Sequence, residues 1–141
     1  MDNAQLTALQ SYIRQCADLL GLTDWEVELR PEPPDDPIAG ACVEWTDAKR
    51  YAHIKLPTDF LSFTQDKQRE YIVHELIHLH FANAEDVIRL DLFECRELSR
   101  NLYTMLWLSF KRQMEYGVDQ MARVVALSLP HPMIQEEEVT R

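Results

Sequence analysis

The chain has 141 residues and a net charge of −10, from 24 acidic against 14 basic side chains. That length suits a single domain spanning residues 1–141, and 46% hydrophobic content with only three glycines points to a folded, helix-rich protein. The acidity disfavours nucleic acid and membrane surfaces as partners, and no apolar run approaches the roughly 18 residues of a membrane-spanning helix.

Three cysteines, Cys16, Cys42 and Cys95, stand far apart without a C-x-x-C pair. They read as buried thiols in a reducing compartment rather than a disulfide framework or a cysteine metal site. Met1-Asp2-Asn3-Ala4-Gln5 has neither the basic start nor the apolar run of a signal peptide, so a cytoplasmic location is expected.

In chain order, Leu6, Leu9, Ile13, Cys16, Ala17 and Leu20 recur at helical spacing, predicting an amphipathic helix from about Asn3 to Leu20, capped by Asn3 and ended by Gly21. Trp25–Leu29 alternates apolar and charged residues and reads as a half-buried strand. Pro31, Pro33, Pro34 and Pro37 then impose an extended loop. Ala41–Trp45 and Tyr51–Leu56 read as two further strands around a hairpin-length loop, giving a small, mostly antiparallel sheet. After Pro57 comes a short helical turn. A long apolar helix then runs from about Gln65 to Phe81 or Ala82, with Ser62 or Thr64 as its cap. Asn83–Asp86 reads as a turn into a backing helix from about Asp86 to Tyr116, ended by Gly117. A last helix spans about Asp119 to Leu129, and residues from about 134 onward read as a mobile acidic tail.

Inside the Gln65 helix lies His74-Glu75-Leu76-Ile77-His78, a His-Glu-x-x-His pattern. Helical positions four apart share a face, so both imidazoles point at one place. Two nitrogens at that spacing suit Zn²⁺, and Glu75, one position round, is placed to act as a general base rather than as a ligand. His80, two residues further on, points to another side.

A catalytic zinc needs a third protein ligand. The metzincin pattern places a histidine six residues after His78, where this chain has Ala84, so that subclass is excluded. The remaining solution is a carboxylate on the following helix. Helical geometry favours Glu94, which projects within the apolar stripe of Leu98, Leu102, Met105 and Leu106. Glu97 is the rival, because it matches the spacing of one large aminopeptidase group. Asp91, one turn before Glu94, suits an acceptor for a ligand's N–H. His53, His131 and Tyr103 are weaker candidates for polarising a carbonyl, and the two histidines read as ordinary ones.

The order of strand, hairpin, His-Glu-x-x-His helix, turn and glutamate-bearing helix resembles a minimal zincin of the gluzincin type. It is similar to small metallopeptidase-like domains of phages and bacteria. The likeness covers residues 74–78, the acidic positions after them and the preceding strand pair. It implies an α+β, zincin-like fold with the sheet packed on the motif helix and a long backing helix. It also implies peptide-bond hydrolysis at zinc, with Glu75 as base and extended substrate pairing to the Tyr51–Leu56 or Ala41–Trp45 strand. A cleft in so small a chain would be shallow, so the expected substrate is a particular partner protein or peptide. The alternative is a catalytically silent zincin-like interaction module of a phage or mobile element.

Overall fold

The computed structural model describes residues 1–36, 40–46, 49–95 and 97–134. The proposed acidic tail lies almost wholly outside them, as do Pro37 and two residues of the hairpin loop. The fold is α+β: three helices and one three-stranded sheet.

Helix α1 (Asn3–Leu19) is capped by Asp2, one residue earlier than the sequence suggests, because Asp2 and Gln5 exchange hydrogen bonds in a capping box. Gly21, at φ +76°, lets the chain turn toward β1 (Glu26–Arg30). The sheet is completed by β2 (Cys42–Thr46) and β3 (Tyr51–Lys55) in the order β1-β3-β2. It is mixed rather than mostly antiparallel. The hairpin pairs β2 with β3, but the proline-rich connection carries the chain past the place of β3, which returns parallel to β1. β3 is therefore central, with β1 and β2 on the rims. The rim of β1 is closed by one side chain: the Gln10 carboxamide donates to the Val27 carbonyl at 2.8 Å and accepts from the Leu29 N–H at 2.6 Å.

A 3₁₀ turn at Phe60–Ser62 leads to α2 (Gln65–Glu94), whose N-cap is Thr64. Ile72, Leu76 and Leu79 face α1 and the sheet and are fully or almost fully buried. Each contributes roughly 2 kcal/mol. Val73 and Ile77 on the adjoining face pack against Val118 and Ala122 of α3 (Arg100–Val125) and against Ala126 and Leu129 beyond it. Among the three cysteines only Cys16 is buried; Cys95 is exposed in the α2–α3 turn.

The helical half departs from the expected boundaries. Asn83–Asp86 is no turn, because Ala84 and Glu85 favour helix and neither Gly nor Pro interrupts them, so α2 runs on to Glu94. The true break is at 95–99, where Ser99 caps α3 by accepting from the Leu102 N–H. Gly117 lies within α3, which absorbs most of the helix expected after it. No helix among the described residues is long and apolar enough to cross a membrane.

Candidate metal centre

α2 and α3 form an antiparallel hairpin, and its inner face builds the site. His74 and His78, one turn apart on α2, bring their Nε2 atoms to 3.2 Å. Glu115 of α3 reaches between them, with Oε2 3.3 Å from His74 Nε2 and Oε1 3.3 Å from His78 Nε2. One turn further along α3, Asp119 Oδ1 lies 3.1 Å from His74 Nδ1.

His74, His78 and Glu115 can offer one ligand atom each to a single ion. Bonds of about 2.0–2.1 Å in a tetrahedral shell require ligand atoms roughly 3.3–3.4 Å apart. The two Nε2 atoms, 3.2 Å apart, fit that shell, and each imidazole nitrogen has one Glu115 oxygen at 3.3 Å, so a small shift of the carboxylate would centre a single oxygen on both. The donor chemistry agrees. A neutral His74 donating Nδ1–H to Asp119 turns the lone pair of Nε2 toward His78 and the Glu115 carboxylate, an arrangement that repels unless a proton or cation stands between.

The charges respond accordingly. Burial alone would depress the pKa of His74, but its hydrogen bond with Glu115 and the carboxylates of Glu75, Glu115 and Asp119 outweigh burial and raise it. Hydrogen bonds to His74 and His78 hold the Glu115 carboxyl far below the ordinary range. Glu75 is only 6% exposed. Burial raises its pKa against the pull of His74 and His78, and the Val43 N–H donates to it. An enclosed carboxylate costs several kcal/mol unless compensated. Here the compensation comes from one amide and two imidazoles.

A cleft of about 420 Å³ opens beside these groups, bounded by Gly40, Ala41, Glu70, Tyr71 and Asp119. A second lobe of about 210 Å³ continues past Cys42, Val43, Trp45 and Lys111. Both lobes share Ala41, His74, Glu75 and Glu115, so the free rim of β2 runs along the wall of the site. The Tyr51–Leu56 strand has no rim to offer, because β3 is paired on both sides. A Cβ on Gly40 would come to 2.6 Å from the Tyr71 ring, so a larger residue there would displace that ring from the cleft wall.

Comparison with family models, curated proteins and solved structures finds no significant match. The chemistry of the site rests on its own geometry.

Of the expected site residues, the structure brings together His74, Glu75 and His78 but not the expected third ligand. Glu94 is the exposed last residue of α2, on the same helix as the histidines and about 24 Å beyond His78 along its axis. Glu97 is exposed in the following turn, and Asp91 is exposed one turn before Glu94. All three were placed on a backing helix whose expected start, about Asp86, lies fourteen residues before the observed one at Arg100. His53 pairs with Glu44 on the sheet and His131 with Asp66 at the start of α2. Tyr103 packs against Phe93 near the hairpin turn. Glu115 and Asp119 were missed, although a signal exists. A hairpin folded about residue 97 sets 74 and 78 opposite 120 and 116, next to two acids spaced i, i+4 on one helical face.

Proposed function

We propose that this chain is a zinc-dependent peptidase of minimal gluzincin type, cutting a particular partner protein. The observation that carries the reading is Glu115, a carboxylate from a second helix that completes a His-His-Glu set beside the buried Glu75. His74, His78 and Glu115 would hold the ion, and Asp119 would fix the tautomer and orientation of His74. When bound, zinc supplies Lewis acidity, acidifying water toward a pKa of ~7 and polarising a carbonyl. Glu75 would take the proton of the attacking water and pass it to the leaving nitrogen. The free rim of β2 aligns extended substrate by backbone pairing. A silent interaction module would have no use for a buried base beside its ligands.

The test is cleavage of a proteome-derived peptide library by zinc-loaded protein, read by mass spectrometry beside Glu75→Gln. Cleavage by the wild type, lost in Glu75→Gln at equal zinc content, supports the reading. Zinc bound without any bond cut overturns it and favours the silent module.

A further inference from the structure

We propose that the projecting end of the α2–α3 hairpin pairs with a second copy of this chain. From 83 to 114, Glu85 is the only buried residue among those described. Every apolar side chain there is exposed or half-buried, and Phe93 is 75% exposed. An amphipathic helix keeps its apolar stripe out of water only where another element covers it. Val87, Leu90, Phe93, Leu102, Met105 and Leu106 are each more than a third exposed, a concentration of large apolar side chains at one end of the molecule of the kind that marks an interaction surface.

Charge identifies the occupant. Asp91 and Glu94 at the end of α2 and Arg100 and Arg112 on α3 are exposed. Among the described residues, none of the four has an ionic partner within the chain. Elsewhere in the hairpin Glu85 binds Lys111 at 2.6 Å and Asp86 faces Arg89 at 3.8 Å, so each of those charges is answered internally. The hairpin from 83 to 114 holds five acids and five bases, so the net charge of −10 lies entirely elsewhere and repels copies that approach by any other face. A two-fold axis setting α2 of one protomer against α3 of its partner joins acids to bases twice and gives a four-helix arrangement.

Sedimentation equilibrium of the full chain from about 1 to 100 µM tests the pairing. The wild type is expected at dimer mass, and Leu106→Glu should weaken it at least about 30-fold with unchanged helical circular dichroism. Two charge variants guard against misfolding as an explanation. Asp91→Arg with Glu94→Arg makes both helices basic, while Arg100→Glu with Arg112→Glu makes both acidic. Each variant alone should be monomeric, and mixing the two should restore the dimer. A wild type that stays monomeric across the range, or a dimer indifferent to all these changes, overturns the proposal.

Discussion

Replacing Glu115 by Ala removes the carboxylate of the proposed His74–His78–Glu115 set, whose two oxygens each lie 3.3 Å from one imidazole nitrogen, and leaves two imidazoles. Structural zinc sites bind with about 10–16 kcal/mol spread over their ligands, so one ligand is worth roughly 3–4 kcal/mol and its loss should weaken zinc by ~10²–10³-fold. Glu94→Ala, about 24 Å from His78 along the helix, should leave affinity unchanged. Asp119→Asn keeps all three ligands but weakens the acceptor on His74 Nδ1, and should cost about 10–100-fold. Competition titration against a chromophoric chelator reads all three, with far-UV circular dichroism as the control for folding. Wild-type affinity in Glu115→Ala, or its loss in Glu94→Ala, would refute the assignment.

Stability of the metal-free protein should fall as pH rises from mildly acidic to mildly alkaline. His74 is raised above its ordinary 6.5 and Glu75 above its ordinary 4.5, so both contribute stability below those values and lose it as pH climbs through their folded-state values. Glu115 has the opposite sign. Its depressed pKa contributes above 4.5 and is lost only in acid. Zinc competes with the His74 proton, so the thermal shift on adding zinc should grow with pH; a shift that shrinks would contradict the cluster. Gly117→Ala should stabilise by about 0.5–1 kcal/mol, raising Tm by ~2–4 °C, since the position is helical and a Cβ there meets nothing within 4 Å. An unchanged or lower Tm in a calorimetric scan would show that the glycine is needed.

The first half of the chain was legible because its signals are local. Alternation in Trp25–Leu29 and Tyr51–Leu56, the Pro57 stop and the Thr64 cap each act within a few residues. The two histidines were legible for the same reason, since four residues of helix fix their relation. The carboxylate that faces the two histidines depends on where a hairpin turns, and that is decided by tertiary packing. Asn83–Asp86 has the polar composition of a turn, yet Glu85 is buried against Lys111, which holds α2 helical through it. A twelve-residue error in the end of one helix moved the expected ligand from Glu115 to Glu94. The sheet order is likewise non-local, because nothing in Pro31–Pro34 says on which side of β1 the next strand will settle.

The Gln10 carboxamide on β1 leaves the sheet one open seam in place of two. A three-stranded sheet has two open seams, and each invites a stray strand. Gln10 stitches one shut with a donor and an acceptor, as a fourth strand would. Backbone that adds to the sheet is thereby steered to the seam beside Glu75. Any strand that adds to this sheet, from a second copy or from another polypeptide, then competes for one berth. Gln10→Ala would open a second, where an incoming strand could settle far from the histidines.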